Sequence, residues 1–359
     1  MSDALRQAVE TVVDPLLDRT LERLGMIDRV VSKKLGADRV EVSVPVPNYP
    51  ARGELENRIR EAAAPHGSNV EITVEVMDDG RRHDLMESLR EEVGPGIGEP
   101  GSPTRVIAVG SGKGGVGKSS VTTNLAVTLA SMGHRVGVVD ADIWGFSIPR
   151  MLGVSHMPVV IDQSIIPPKA HGVRAMSMDF FVGDDKAVIW RGPLLHKAME
   201  QFLKDVFWDR LDFLLVDMPP GTGDIAISMS QLLPRAQMLL VTTPQPTAQR
   251  VAKRAGLMAR KVDQELIGIV ENMSWFTGDD DKRYRLFGEG GGASLAEELD
   301  VPLMAQIPLV PAMREGADHG CPVSVAAPDS EATAAFRTLA EAVIARKPRV
   351  RVHPELIIR

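Results

Sequence analysis

The chain predicts an α/β fold: a mostly parallel sheet covered by helices on both faces, preceded by a small α+β unit. Three observations carry this. Continuous apolar runs recur after residue 103, as expected of strands buried on both faces. Stretches with helical spacing separate them. A stretch dense in Gly and Pro, Glu91 to Pro103, has no hydrophobic period and reads as a linker. The predicted organisation is an α+β domain over 1–88, a linker over 89–103, a larger α/β domain over 104–347 and a tail over 348–359.

In the first unit, Leu5, Val9, Val12 and Val13 predict one amphipathic helix. Leu16 to Leu24, closed by Gly25, predicts a second. Val40–Val46 and Val70–Val76 alternate like half-buried strands, and Glu54 to Ala63 between them has helical spacing. In the larger unit the strand runs are Val106–Val109, Val136–Val139, Phe213–Val216, Met238–Val241, Ile267–Val270 and Leu303–Ile307. Helical patterns fall near 119–132, 193–206, 224–233, 246–262, 292–299 and 331–345. Ligands of such a sheet belong at the carboxyl ends of its strands.

Composition bounds the function. The chain has 359 residues, 44% of them hydrophobic and 25% charged, and a net charge of −7. There is no global basic field to attract nucleic acid or anionic lipid. No apolar run approaches the roughly 20 residues that span a bilayer. The sequence Met1-Ser2-Asp3-Ala4-Leu5 lacks the basic and apolar regions of a signal peptide, so a cytoplasmic protein is expected, with neither nucleic acid nor membrane as partner. One cysteine, Cys321, excludes an intrachain disulfide and any four-thiolate site built from one chain.

Gly112-Lys113-Gly114-Gly115-Val116-Gly117-Lys118-Ser119 lies between a strand run and a helical segment. That context makes G-x-x-x-x-G-K-S a phosphate-binding loop, and the larger unit a P-loop NTPase. Its glycines let backbone N–H groups cradle phosphate oxygens, and the following helix adds the partial positive charge of its N-terminus. Lys118 is expected on the outer phosphates, and Ser119 on Mg2+. Lys113 is a second cation where the general pattern asks for none. Gly112, Lys113, Gly114, Gly115, Val116, Gly117, Lys118, Ser119 and Ser120 are the candidate contacts to ATP.

Two strand runs end in carboxylates: Asp140, followed by Asp142, and Asp217, followed by Met218-Pro219-Pro220-Gly221-Thr222-Gly223-Asp224. At strand tips beside the loop, Asp140, Asp142 and Asp217 suit the binding of a metal ion, directly or through water, and the positioning of water. Asp142 also reads as a helix cap, as does Asp224. Asn272, with a donor and an acceptor, complements an adenine edge, and the turn at Pro308 would flank the base. Phosphoryl transfer needs charge and positioning more than covalent chemistry, and two lysines, a serine and these aspartates supply it.

The loop Lys113 to Ser119 resembles the deviant Walker A loop of the ParA, MinD, nitrogenase iron protein and ArsA ATPases. The strings Asp140-Ala141-Asp142-Ile143-Trp144-Gly145-Phe146-Ser147-Ile148-Pro149, Trp190-Arg191-Gly192-Pro193, Asp217 to Asp224, Thr242-Thr243-Pro244-Gln245 and Glu271-Asn272-Met273-Ser274 resemble the Mrp/ApbC-type iron–sulfur cluster carrier ATPases. The first unit, with Asp14-Pro15 and Leu24-Gly25-Met26-Ile27, resembles a MIP18-like module. The resemblance implies slow ATP hydrolysis, a homodimer that sandwiches nucleotide with Lys113 reaching the partner's phosphates, and apoprotein clients or other assembly factors as partners. It implies Asp142 as the water-orienting switch residue, Asp217 as the Walker B acid and Asn272 as the adenine reader. Lys113, Lys118 and Asp142 are then the catalytic set.

The resemblance also implies an iron–sulfur cluster as cargo, but the family's Cys-x-x-Cys is absent. Trp275-Phe276-Thr277-Gly278-Asp279-Asp280-Asp281-Lys282 stands in its place. Clusters are held mainly by thiolates, typically four, and a homodimer offers only two copies of Cys321. Cys321 reads as a small loop or core residue. Asp279-Asp280-Asp281 reads as a solvated loop, and His171, His196 and His319 lie alone. The alternative function is a MinD/ParA-like dimerisation switch acting on a protein, membrane or DNA partner without a cluster. Its usual membrane tail is not evident in the basic 346–359 segment, which Pro348 and Pro354 break.

Overall fold

The computed structural model describes residues 2–32, 37–66, 69–142, 145, 147–181, 192–221 and 231–348. The Trp190-Arg191 pair, the switch residues Ile143, Trp144, Phe146 and 222–224, most of the helix expected over 224–233, and the tail from 349 lie outside them.

The chain forms two compact units. The first contains α1 (Ser2–Glu10), β1 (Ile27–Val31), β2 (Asp38–Val44), α2 (Arg52–Ala63), β3 (Val70–Val76) and α3 (Asp79–Val93). Its sheet has the order β1-β2-β3, with β1 antiparallel and β3 parallel to β2. The helix expected over Leu16 to Leu24 does not form; those residues make successive turns, with a bridge between Val13 and Thr20. The cause is local. Asp14 Oδ1 accepts from the Leu16 and Leu17 N–H groups, and Asp18 sits at φ +54°. Side chain–backbone bonds of this kind compete with a helix. The apolar residues are nonetheless buried, so the hydrophobic pattern reported burial rather than helicity.

This unit is not the contiguous segment the sequence suggests. Helix α3 runs through Val93, its N-terminus capped by Asp78, so the start of the expected linker is helical. The unit also takes in His156–Pro168 and Asp205–Asp209 from within the segment expected to be one α/β domain. The first of these carries the hairpin β6 (Val159–Ile161)–β7 (Ser164–Ile166). Ile161, Ile166 and Phe207 join the core of Leu17, Val42, Ile59 and Met86. Three such side chains are worth about 1.5–3 kcal/mol each when buried. A longer loop costs only about 0.6 kcal/mol per doubling, so the detour is favourable.

The second unit holds an eight-stranded sheet. Its strands are β4 (Arg105–Ser111), β5 (Val136–Asp140), β8 (Lys169–Ala170), β9 (Val173–Ser177), β10 (Phe213–Asp217), β11 (Gln237–Thr242), β12 (Glu265–Asn272) and β15 (Leu303–Ile307). Their order is β15-β12-β11-β4-β10-β5-β9-β8, parallel except for the edge strand β8. Strands β13 (Phe276–Thr277) and β14 (Arg283–Tyr284) form a separate antiparallel hairpin. Strand β4 is central, with β10 on one side and β11 on the other. The chain leaves β4 toward β5 and later crosses to β11, so the loop after β4 sits where the winding reverses.

That loop runs into α4 (Lys118–Ser131), which is buried over Val121 to Leu129. Its buried polar side chains are satisfied. Thr122 and Thr128 donate to carbonyls one turn back, at 3.0 and 2.7 Å, and Asn124 Oδ1 accepts from Val323 N. Ile107, Val109, Leu125, Val138, Leu215, Val241 and Phe336 form the core around it.

Candidate functional site

The site is built at the carboxyl ends of β4, β5, β10 and β12. Gly112 must be glycine because a Cβ there would collide with the backbone of Val251 and Ala252. Gly117, at φ +79°, backs onto Asn272. Gly115 has φ +78°, and a Cβ at Gly114 or Gly115 would meet nothing within 4 Å. The loop therefore presents bare backbone to an open side. No side chain caps α4, whose first turn follows directly from Gly117. Uncapped N–H groups behind an open glycine loop form a cradle for anionic oxygens.

At the head of α4 the predicted residues converge. Lys118 Nζ lies 2.6 Å from Asp217 Oδ2 and 3.6 Å from Asp142 Oδ2. Ser119 Oγ donates to Asp217 Oδ2 at 2.6 Å. Thr122 Oγ1 lies 2.7 Å from Asp217 Oδ1. Asp217 is fully buried, and a buried carboxylate needs a cation and donors around it. Thr122 was not singled out in the sequence, although its place four residues after Lys118 puts it on the same helix face.

Asp140 sits differently. Its Oδ2 accepts from the Ser147 and Ile148 N–H groups at 3.0 and 3.1 Å, and its Oδ1 from Asp142 N at 3.2 Å. The carboxylate thus ties both ends of the segment that carries Asp142. Burial, and then the neighbouring Asp217, pushes the Asp140 carboxyl up to about 7.

Lys113 is not gathered into the cluster; its Nζ contacts Gln245 Oε1 at 3.3 Å, a partner the sequence did not suggest. Ser120 lends its carbonyl to Asn124 Nδ2. Asn272 Nδ2 donates to Val116 O at 2.9 Å, so its amide braces the loop. Pro308 is buried in a turn stitched to the loop after β12 by Ser274 N to Ile307 O and Leu309 N to Trp275 O. Glu271, quoted in the sequence but given no role, accepts from Ser274 Oγ, Gln306 Nε2 and Gly292 N. It anchors the start of the helix Gly291–Glu298.

The loop and the Lys118–Ser119–Asp217 cluster fit a magnesium–nucleotide: an open cradle, a hydroxyl and a buried carboxylate at its floor, and a cation beside them. An iron–sulfur cluster finds no comparable fit. No group of three or more His, Cys, Asp or Glu could hold a metal ion among the described residues. Where the family's cysteines would stand, the β13–β14 hairpin is tied down by Trp275 Nε1 and Thr277 Oγ1 donating to Glu331, with Arg283 over the Trp275 ring. Asp280 there accepts from Tyr284 and pairs with Lys282, which hold its carboxyl below the usual range. Cys321 is half-buried in the loop after Pro311–His319, its N–H bonded to Gly316 O.

A parallel sheet with a glycine loop at its reversal point, a lysine and serine opening the next helix, and an aspartate at the adjacent strand tip define a P-loop NTPase of the MinD/ParA type. Solved structures agree. A nucleotide-binding protein from Archaeoglobus fulgidus, in complex with ADP, matches with a TM-score of 0.57 and 32% identity, over 70% of this chain and 96% of that one. The Pyrococcus furiosus cell division ATPase MinD matches at 0.52 and 28%, over 67% and 98%. The profile of the NUBPL iron-transfer P-loop NTPases, in the ParA group, matches residues 102–344. An iron-sulfur cluster carrier protein of Mycobacterium tuberculosis (strain H37Rv) is 44% identical over 97% of this chain and 94% of its own. The chain belongs to this family of iron–sulfur cluster carrier P-loop NTPases.

Proposed function

We propose that the chain binds Mg-ATP at Gly112 to Ser120, hydrolyses it slowly, and acts in the cytoplasm in the assembly or transfer of iron–sulfur clusters to apoproteins. The observation that carries the nucleotide half is the Lys118–Ser119–Asp217 cluster beneath an open, uncapped loop. Lys118 supplies positive charge beside the phosphates, and the loop N–H groups orient them. Ser119 and Asp217 would hold the magnesium, with Asp140 near it through the strand register. The ion's chemistry is to neutralise charge on the β- and γ-phosphates. Asp142, held by Asp140, orients water. Asn272 is the adenine reader, and the turn at Pro308 flanks the base.

The carrier half is supported by family membership, and no ligand set for a cluster is gathered among the described residues. We propose an ATP-driven factor that handles client proteins. Anaerobic reconstitution of wild type and Cys321→Ala, with iron and sulfide analysis and absorption spectra, tests this. A cluster chromophore lost in Cys321→Ala would make the chain itself the carrier. Intact ATPase activity without a chromophore leaves the client-handling reading.

Lys113 is proposed to reach the partner's phosphates across a nucleotide-sandwiched homodimer. Lys113→Ala is expected to abolish the ATP-dependent shift in sedimentation. A wild-type profile unaltered by ATP would count against that role. The first unit is proposed to be a MIP18-like module that contacts clients.

A further inference from the structure

The helix Pro246–Lys261, which follows β11, carries five basic residues and no acidic one, in a chain whose net charge is −7. Two of the five are engaged: Lys253 pairs with Glu298 at 2.7 Å, and Arg260 donates to Leu299 O. Arg250, Arg254 and Lys261 are exposed, and no ion pair reaches them among the described residues. Their spacing, with Leu257 between, is four, three and four residues, which places all four side chains on one face. Leu257 is 44% exposed at the centre of that face. Like charges one turn apart repel, so the stripe works against the isolated helix.

We propose that this face docks an acidic, amphipathic segment of a partner protein, with carboxylates on Arg250, Arg254 and Lys261 and an apolar side chain over Leu257. Charge complementarity selects an acidic partner, and its extent selects a protein. Duplex DNA and anionic membranes are bound by broad basic surfaces, whereas here three exposed cations flank an exposed leucine on one helix of an acidic chain, a pattern that matches an acidic amphipathic segment. The stripe spans about 16 Å, at 1.5 Å per residue, the length of a three-turn helix. Arginine is among the residues enriched in interface hot spots.

The same helix is wedged against the nucleotide loop. Its inner face is small throughout (Ala248, Ala252, Ala255, Gly256, Ala259), which lets its backbone lie close to the sheet. Gly112 abuts the backbone of Val251 and Ala252 with no room for a methyl group, and Gln245, at the helix start, holds Lys113. Loop and helix are in direct contact, and through that contact docking is proposed to couple to the nucleotide. This coupling rests on the nucleotide reading above; the docking does not. The coupling is reciprocal by thermodynamic necessity.

The test is fluorescence anisotropy of a labelled Glu/Leu-rich helical peptide of about three turns, titrated with the full chain, with and without a non-hydrolysable Mg-ATP analogue. Wild type is expected to bind without nucleotide, and Arg250→Glu/Arg254→Glu to weaken binding at least about tenfold, as loss of close charge pairs does. Binding of a fluorescent nucleotide by the variant stays unchanged, which shows that it is folded. The analogue is expected to change peptide affinity severalfold, and the peptide to change analogue affinity by the same factor. Failure of wild type to bind the peptide, or equal binding by the variant, overturns the docking surface. So does tighter binding to a DNA duplex or to phosphatidylserine vesicles that the same substitutions abolish. Peptide affinity indifferent to a nucleotide that demonstrably binds overturns the coupling. Absence of nucleotide binding would instead defeat the nucleotide reading.

Discussion

The tips of β5 and β10 make a controlled comparison inside one molecule. Asp140 and Asp217 are register partners on adjacent parallel strands, each ends an apolar run, and both are fully buried. Yet Asp217 is surrounded by side chains, those of Lys118, Ser119 and Thr122, whereas Asp140 is held mainly by backbone N–H groups of the segment it precedes. The difference lies in what faces each tip. Asp217 meets the head of α4 and its charged and hydroxyl side chains. Asp140 meets backbone N–H groups at both ends of the segment that follows it, while the Asp142 carboxylate lies 3.6 Å from Lys118 Nζ. Two identical carboxylates on one sheet edge are thus held in different ways, one by side chains and one by backbone.

Substitutions can break this division. The largest effect is expected from Lys118→Ala, which removes the cation from a fully buried Asp217. Nucleotide binding and turnover should be lost, measured with a fluorescent nucleotide and by phosphate release. The buried, unpaired carboxylate should also cost about 3–5 kcal/mol in urea unfolding. Next comes Asp142→Ala, expected to keep nucleotide binding and lower turnover about 10²–10⁴-fold. Unchanged turnover would show that this aspartate does not orient the water.

Asp140→Asn sharpens the comparison. If Asp140 positions the loop, turnover should fall roughly tenfold with nucleotide affinity retained, because the loop slackens while the Asp217 cluster stays intact. Equal losses of binding and turnover would return Asp140 to the magnesium. Its pH signature has a definite sign. The carboxyl rises from an ordinary 3.8 to about 7 in the folded chain. The folded state therefore holds the proton more tightly than the unfolded one between those values. The associated stability is fully present below 3.8 and is lost as pH rises through about 7. Urea midpoints of wild type should fall between pH 5 and pH 8, and that fall should flatten in Asp140→Asn. The smallest effect is expected from Thr122→Val, which deletes one hydroxyl from Asp217. The hydroxyl has one proton to share between Asp217 and the Lys118 carbonyl, so its loss should cost about 0.5–1 kcal/mol in urea unfolding, with little change in nucleotide affinity.

Much of this site was legible beforehand because it is written in local code. Gly112 to Ser119 announces itself by spacing, and the carboxylates announce themselves by ending apolar runs. Thr122 and Gln245 were not legible: a threonine in a buried helix and a glutamine at a helix start carry no signal until the partner is known. The segment Leu16 to Leu24 shows the same limit from the other side. Its apolar spacing marked burial correctly, but the Asp14 side chain took the backbone donors a helix would have used.

By itself the sequence determined the strand–loop–helix order, the chemistry of the phosphate cradle and the missing cluster ligands, since each follows from residue type and spacing along the chain. Only the tertiary structure decided which aspartate meets Lys118, that His156–Pro168 and Asp205–Asp209 belong with the first unit, and that an exposed basic stripe lies on a helix packed against Gly112. The physical reason is that these depend on contacts between residues distant along the chain. Burial energies and register between strands set such contacts, and no local pattern encodes them.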